Sequence, residues 1–363
     1  MKYLVGAANN TWRLPDAIQA AADGDTIEFQ AGYSPVVDTI ILNKSLHFKG
    51  KVTTGEGGNR NFTNVITGKF NIRQQANVTF ENIWICYGVP KTNIINCAEQ
   101  AEISLINCVL ENTQADGDVY PILYAEGRSN VVLRSTTIME NPKLYMKMYV
   151  GNSKLEMDDC VFQDCKMQIE YVDFKMNNST VYAGDGNTIH AVRCDMQIEN
   201  STIKGCDQSK GYPAVWLGKC MVSTVSTRVM QPGFDTSVYI KDASSLHSER
   251  DEFTSVEIDD AKAVLQNTVI HETVTVQNQA AVCILGELNI LGENDDKIDL
   301  GVMNNSVVYG DALTLNHVNT PNIRMTGNSE YSCAMKSHFR KSGNQMSGKW
   351  RSSYASLLAQ CFV

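Results

Sequence analysis

The residues best suited to acid–base chemistry lie around His190. Asp185, His190 and Arg193 place a carboxylate, an imidazole and a guanidinium in one short segment, and Asp164 is a carboxylate earlier in the chain. Such groups can donate and accept protons as general acids and bases. We therefore name these four as candidate catalytic residues. A lone histidine among loop residues is more often hydrogen-bonded or solvated than catalytic, and this alternative stays open.

A second group of residues has the chemistry of a saccharide site. Asp116 and Asp118 precede Tyr120 in a segment over 114–120, and Tyr124 follows shortly after. Carboxylates accept hydrogen bonds from sugar hydroxyls, and flat aromatic side chains offer a large surface for packing. We predict that these four residues bind a ligand in a groove.

The cysteines do not have the spacing of a metal site. Their number, eleven, is odd, and only Cys160 and Cys165 lie within a few residues of each other without a second pair nearby. Zinc sites need paired Cys or His ligands at short spacing. We expect no metal and no cofactor, and reduced cysteines that pack as small hydrophobic residues.

These candidates must be positioned by a repeated element. Each repeat alternates apolar and polar residues, then breaks the alternation at a polar residue, which indicates a strand followed by a bend. Asn is favoured at such a bend because it tolerates left-handed backbone angles. The repeats cover residues 78–85, 103–110, 131–138, 155–162, 174–181, 196–203 and 222–229, with bends at Asn82, Asn107, Ser135, Asp159, Asn178, Asn200 and Ser226.

The bends are roughly two dozen residues apart, which fits one solenoid turn of three short strands. The residue after each bend is small or aliphatic, and the residue two positions further is large and apolar, so both columns should face a core. We predict an all-β chain, a right-handed parallel β-helix. The pattern weakens after residue 230, where we place bends at Arg250 and Asn267.

Both ends of a solenoid must be covered. Leu14, Ala17 and Ile18 lie on one face of a helix predicted over 14–22, with Pro15 in its first turn. A second helix over 349–363 would close the other end. We predict one β-helix domain over 1–335 and a basic segment over 336–363 that acts as a cap, a tail or a docking surface.

Three stretches resemble the pectin-lyase-like superfamily of right-handed parallel β-helices. They are LPDAIQAAADGDTIEF at 14–29, SLHFKG at 45–50 and NVTFENI at 77–83. The resemblance covers about residues 10–230. It implies the fold but no single activity, since the superfamily holds lyases, hydrolases, esterases, phage tailspikes and non-enzymes. The Asn-Thr-Asp, Gly-His-Gly and Arg-Ile-Lys elements of its polygalacturonases do not occur here, and the Arg-x-Pro element of its pectate lyases is absent from the strand repeats.

The outward positions of neighbouring repeats carry opposite charges. Stacking the repeats places Arg134 beside Asp158 and Glu156 beside Lys175, as expected of cross-strand pairs. Such pairs leave little net charge for a cation. We favour a non-catalytic module that binds carbohydrate or protein, or acts as a scaffold. The alternative is a polysaccharide lyase or glycoside hydrolase, including a tailspike-like depolymerase.

The charge and the apolar runs limit the partners. A net charge of −9 disfavours binding to nucleic acid or to an anionic membrane. The N-terminus has no secretory apolar core and no run is long enough to cross a bilayer, so we expect a cytoplasmic or phage-particle protein. A polysaccharide, another protein or further copies of the chain remain as partners.

Overall fold

The computed structural model describes residues 1–55, 60–89, 91–113, 120–139, 148–183, 186–206, 211–232, 236–292, 298–316 and 323–337. The chain forms two compact units, Met1–Asp185 (unit 1) and Gly186–Val363 (unit 2). A single domain over 1–335 stays a prediction. The basic segment over 336–363, including the proposed closing helix, lies outside the described residues apart from the backbone at its first two positions.

Unit 1 contains one helix and short strands. The helix α1 spans Leu14–Ala20. In chain order the strands are β1 (Lys2–Val5), β2 (Asp25–Phe29), β3 (Val36–Leu42), β4 (Leu46–Lys49), β5 (Val52–Thr54), β6 (Arg60–Phe62), β7 (Val65–Ile72), β8 (Asn77–Glu81), β9 (Trp84–Tyr87), β10 (Ile95–Cys97), β11 (Glu102–Ile106), β12 (Val109–Asn112), β13 (Leu123–Ala125), β14 (Asn130–Arg134), β15 (Thr137–Ile138), β16 (Met148–Gly151), β17 (Lys154–Asp158), β18 (Val161–Phe162), β19 (Met167–Glu170), β20 (Asp173–Asn177) and β21 (Thr180–Tyr182).

The strands of unit 1 stack into three parallel sheets. The first sheet pairs β1, β2, β4, β8, β11, β14, β17 and β20 in that order. The second pairs β9, β12, β15, β18 and β21, and the third pairs β10, β13, β16 and β19. The long strand β7 pairs with β9 of the second sheet and with β10 of the third, so it belongs to both sheets. Strands β5 and β6 form an antiparallel hairpin.

The predicted bend column of unit 1 is confirmed. All five bend residues have positive φ angles, and they are Asn82 (59°), Asn107 (50°), Ser135 (49°), Asp159 (53°) and Asn178 (46°). Their side chains bond along the stack: Asn107 Nδ2 donates to Asn82 Oδ1 at 2.5 Å, and Ser135 Oγ donates to Asp159 Oδ2 at 2.8 Å. These bonds compensate for the cost of the left-handed backbone.

The predicted core columns of unit 1 are buried. After the bends, Cys108, Thr136, Cys160 and Ser179 are each at most 1% exposed, and two positions later Leu110, Ile138, Phe162 and Val181 are fully buried. The corner hydroxyls and thiols bond to carbonyl oxygens; Thr136 Oγ1, for example, donates to the Leu105 oxygen at 3.0 Å. Small polar side chains are therefore satisfied inside the corner.

The N-terminal helix covers the first turn but is shorter than predicted. Leu14 and Ala17 are buried on the inner face of this helix, as the sequence pattern indicated. The helix ends at Ala20 rather than at residue 22, because Ala21 is extended and the Ala22 N–H donates to Asp25 Oδ2 at 2.8 Å. The Ala22 N–H, which a longer helix would bond to a helical carbonyl oxygen, is thus bonded within the turn that leads into β2. No helix in the described part of the chain is long and apolar enough to span a membrane.

Unit 2 consists of strands in its described residues. In chain order they are β22 (Ile189–Val192), β23 (Asp195–Glu199), β24 (Thr202–Lys204), β25 (Val215–Gly218), β26 (Met221–Val225), β27 (Arg228–Met230), β28 (Val238–Lys241), β29 (Ser245–Glu249), β30 (Glu252–Phe253), β31 (Val256–Asp259), β32 (Lys262–Ile270), β33 (Val274–Gln277), β34 (Ala281–Ile290), β35 (Leu300–Val302), β36 (Val307–Leu315), β37 (Ile323–Met325) and β38 (Glu330–Ser337).

Unit 2 repeats the three-sheet plan. Its first sheet pairs β23, β26, β29 and the first half of β32, its second pairs β24, β27, β30 and the second half of β32, and its third pairs β22, β25, β28, β31, β33, β35 and β37. From β32 onward single strands, β32, β34, β36 and β38, run through both sheets with register shifts. The right-handed parallel β-helix class is confirmed for each unit.

The bends of unit 2 follow the prediction beyond residue 230. Asn200, Ser226, Arg250 and Asn267 have φ angles of 49°, 51°, 56° and 50°. The spacing from Arg250 to Asn267 is short because β31 follows β30 with only two residues between them. A shortened connection, rather than a lost turn, explains the irregular repeat.

Candidate functional site

A row of polar and aromatic side chains lies on the outer face of the third sheet of unit 1. Asn96, Tyr124, Tyr149 and Gln168 are in register on β10, β13, β16 and β19. Their sequence neighbours on each strand are buried, so alternation turns these four side chains away from the core. The rings of Tyr124 and Tyr149 stack with centroids 5.0 Å apart and planes 15° apart.

The hydroxyl ends of the two tyrosines lie among carboxylates. Tyr124 Oη donates to Glu126 Oε2 at 2.6 Å. Tyr149 lies over Gly151: a Cβ atom at this glycine would be 2.8 Å from Tyr149 Oη. Gly151 is in register with Glu170, whose Oε1 accepts from Gln168 Nε2 at 2.6 Å.

Burial and these carboxylates raise both tyrosine pKa values. For Tyr124 the causes are burial and then the hydrogen bond to Glu126. For Tyr149 they are burial and then the charges of Glu170 and Glu126. The two hydroxyls therefore keep their protons at neutral pH, and the Tyr124 hydroxyl donates to a carboxylate.

The third sheet of unit 2 has its own outward row. His190, Trp216, Tyr239 and Glu257 are in register on β22, β25, β28 and β31. The rings of His190 and Trp216 have centroids 4.3 Å apart at an angle of 50°. Gly218 makes room for the indole, since a Cβ atom there would be 2.8 Å from its ring, and Lys241 Nζ lies 4.9 Å from the ring centroid.

Two carboxylates end this row. Tyr239 Oη donates to Asp259 Oδ2 at 2.9 Å, and Gln277 Nε2 donates to Glu257 Oε1 at 2.8 Å. Burial raises the pKa of the Glu257 carboxyl, and the charge of Asp259 adds to the shift. The row thus combines a cation, aromatic rings, hydroxyl donors and carboxylate acceptors on one face.

The first sheet presents a different surface. In unit 1, Arg134 is in register with Asp158 and Glu156 with Lys175, as predicted. Asp158 also accepts from Asn177 Nδ2 at 2.9 Å. Opposite charges side by side neutralise one another, so this face has less capacity to attract a ligand than the aromatic rows.

The predicted catalytic residues fall in different places. His190 faces outward in unit 2, next to the Trp216 ring. Arg193 is exposed in the turn after β22, where its backbone N–H donates to the Gly218 carbonyl oxygen. Asp164 belongs to unit 1, in the turn after β18, with a φ of 50°. Asp185 lies outside the described residues. Their catalytic role stays a prediction.

The predicted ligand-binding residues are only partly described. Tyr124 is in the outward row of unit 1, and Tyr120 is 41% exposed before β13. Asp116 and Asp118 lie outside the described residues. Their role as ligand contacts also stays a prediction.

Sequence reasoning missed the partners that complete both rows. In unit 1 these are Glu126, Tyr149 and Glu170; in unit 2 they are Trp216, Tyr239, Lys241, Glu257 and Asp259. The signal that could have found them is the alternation in Met-Tyr-Val-Gly at 148–151, Val-Trp-Leu-Gly at 215–218 and Val-Tyr-Ile-Lys at 238–241, which repeats an apolar residue on either side of an outward aromatic.

No group of three or more His, Cys, Asp or Glu side chains with the geometry of a metal site occurs among the described residues. The described cysteines are free thiols, and most are buried. Burial raises the pKa of Cys108 to about 12 and that of Cys97 to about 11. These cysteines pack as small apolar groups, as predicted.

Several solved structures are similar to this chain. A mannuronic acid-specific polysaccharide lyase family 6 enzyme from the human gut microbiota is 10% identical, with a TM-score of 0.45 over 99% of this chain and 93% of the other. The family 6 alginate lyase AlyGC is 10% identical, with a TM-score of 0.30 over 93% and 78%. An alginate lyase from Paenibacillus is 11% identical, with a TM-score of 0.23 over 87% and 95%.

These likenesses assign no activity to the chain. No protein-family model matches the sequence, and no curated protein matches it significantly. The fold that the resemblance implied, a parallel β-helix, is present in each unit.

Proposed function

We propose that this protein is a non-catalytic module that binds saccharide chains on the outer faces of its third sheets. The observation that carries the proposal is the outward row in each unit, Tyr124 and Tyr149 in unit 1 and Trp216 and Tyr239 in unit 2. Aromatic side chains on a solvent-facing sheet, next to amides and carboxylates, supply both packing surface and hydrogen bonds.

The geometry determines which parts of the rings a ligand can contact. Tyr124 and Tyr149 use one ring face each against the other, and their outer faces look toward the neighbouring strands, so a sugar would contact the outward edges of the pair. Asn96 and Gln168 stand at these two ends of the pair and supply amide groups. An aromatic ring beside polar groups is suited to a sugar, which has an apolar face and a rim of hydroxyls.

The first test is a glycan-array screen of the full chain, followed by incubation with each polysaccharide that binds. We expect binding to one group of glycans, without new reducing ends or unsaturated products. Tyr149→Ala or Trp216→Ala should weaken binding, whereas Tyr182→Ala, an exposed tyrosine on the second sheet of unit 1, should not. Binding by all three variants at the wild-type level would contradict the proposal.

Polysaccharide cleavage is the second candidate, and one observation favours it. Glu257 and Asp259 are two residues apart on the same face of β31, about 6.6 Å between Cα atoms, so both carboxyl groups face the same side, and glycoside hydrolases act with a pair of carboxyl groups. A raised pKa is what a general acid needs. Asp164, Asp185, His190 and Arg193 are the further candidates for this chemistry. Product release that Glu257→Gln abolishes would establish cleavage in place of binding alone.

A further inference from the structure

The tyrosine pair of unit 1 has an unusual charge environment. Glu126 directly follows β13 and Glu170 ends β19, the two strands that flank β16, and Tyr149 Oη lies over Gly151 of β16. From the spacing of strands, the two carboxylate strands are roughly 10 Å apart. Both negative charges therefore act on whatever contacts the exposed parts of these rings.

The hydrogen bonds around these carboxylates do not neutralise them. Glu126 accepts from the Tyr124 hydroxyl and Glu170 from the Gln168 amide, both neutral donors. Within the described parts of the chain, no lysine, arginine or histidine forms an ion pair with either carboxylate. The raised pKa of Tyr149 has the charges of both carboxylates among its causes, after burial.

We propose that Tyr124, Tyr149, Glu126 and Glu170 form a subsite for an uncharged saccharide and discriminate against uronic acids. Sugar hydroxyls donate to the free carboxylate oxygens, and the sugar ring packs on the tyrosines. A uronate would instead place its own negative charge within a few ångströms of two others. This inference rests on the proposed function and adds the ligand class of one site.

Replacing both carboxylates by amides tests the charge without changing the shape. The chain carries Trp216→Ala in all samples, so that the row of unit 2 does not contribute, and circular dichroism checks that each variant folds. The probes are xylohexaose, mannohexaose and cellohexaose as neutral ligands, and oligomannuronate of equal length as the acidic one. Each is titrated by calorimetry at low and at physiological salt.

We expect the best neutral probe to bind at least about tenfold more tightly than oligomannuronate at low salt, with a smaller ratio at physiological salt because salt screens the repulsion. Glu126→Gln with Glu170→Gln should bring the two affinities closer together. The matched control is Glu156→Gln, an exposed carboxylate on the first sheet opposite Lys175, which should leave the ratio unchanged.

The outcomes separate this inference from the function on which it rests. Oligomannuronate binding that equals or exceeds neutral binding, and is lost in Tyr149→Ala, overturns the inference and leaves saccharide binding intact. Neutral preference that the double glutamine variant does not reduce also overturns it. Failure of every probe and of the glycan array to bind removes the proposed function as well.

Discussion

At the residue scale, polar side chains have two separate roles in this protein. Outside, Glu126 and Glu170 lie at the half-buried rings of Tyr124 and Tyr149, where we propose that a ligand binds. Inside unit 2, Asp251 is 1% exposed and occupies a corner position where neighbouring turns place Thr227 and Thr268. It accepts bonds from Thr224 Oγ1, from Ser248 Oγ at 2.7 Å and from the Thr227 N–H at 2.7 Å. This buried carboxyl serves structure rather than ligand binding.

The buried carboxyl of Asp251 predicts a pH effect on stability. Burial raises its pKa above the usual 3.8 despite three donated hydrogen bonds. The folded state therefore holds this proton at pH values where the unfolded state has lost it, and the contribution of Asp251 to stability falls as the pH rises above about 4. Asp251→Asn should remove this fall. The free energy of unfolding of the variant, measured in urea, should therefore increase relative to that of wild type between pH 4 and pH 8.

The control for this experiment is Asp195→Asn, an exposed aspartate at the start of β23. Asp251→Ala should cost about 1–3 kcal/mol at neutral pH, because it leaves buried donors without an acceptor. A difference between wild type and Asp251→Asn that stays constant across the pH range would show that Asp251 does not titrate in this way.

Cysteine reactivity gives a second prediction at this scale. Cys86 and Cys206 are half-buried, whereas the other cysteines in the described ranges are buried. Burial raises the pKa of Cys160 to about 11 and that of Cys108 to about 12, and only the thiolate reacts. Among the cysteines of the described ranges, iodoacetamide should label Cys86 and Cys206 first under native conditions, as peptide mass spectrometry would show. Equal labelling of Cys108 would mean that the reagent reaches the interior corner after the bend at Asn107.

At the scale of elements, the left-handed bends determine where one strand ends and the next begins. The bend column was predictable from sequence because a polar residue at a fixed place in each repeat has one physical reason, a positive φ. Even Arg250 and Asn267, where the repeat is short, follow it. The outward rows were not predicted, because the third-sheet strands have only three or four residues and follow connections of varying length.

A matched pair of substitutions at Ser226 tests the bends. Ser226 has a φ of 51° and an exposed side chain. Ser226→Val should destabilise the fold by about 1–2 kcal/mol, because a β-branched residue is strained at this angle, while Ser226→Gly should change the free energy of unfolding little. Ser223→Val, on the outer face of the preceding strand, is the control and should be tolerated. Equal effects of valine and glycine at 226 would argue against backbone strain.

At the scale of the whole molecule, a net charge of −9 accompanies locally distinct surfaces. Paired charges cover the first sheet of unit 1, whereas the third sheets carry the aromatic rows. The sequence narrowed the function only to a binding module or a polysaccharide-cleaving enzyme. The regular repeats reveal the paired charges of the first sheet, but the aromatic rows of the third sheets lie outside these repeats. Tyr124 was the one residue of the unit 1 row that sequence reasoning had named.

Calorimetric titration of the tightest glycan from the array into wild type, Tyr149→Ala and Tyr182→Ala tests saccharide binding on the third sheet most directly. Loss of the Tyr149 ring removes packing worth about 1 kcal/mol, so the dissociation constant should rise about fivefold. Tyr182→Ala should bind like wild type. Wild-type affinity in Tyr149→Ala that persists when Trp216→Ala is added, or an equal loss in Tyr182→Ala, would contradict binding on the third sheets.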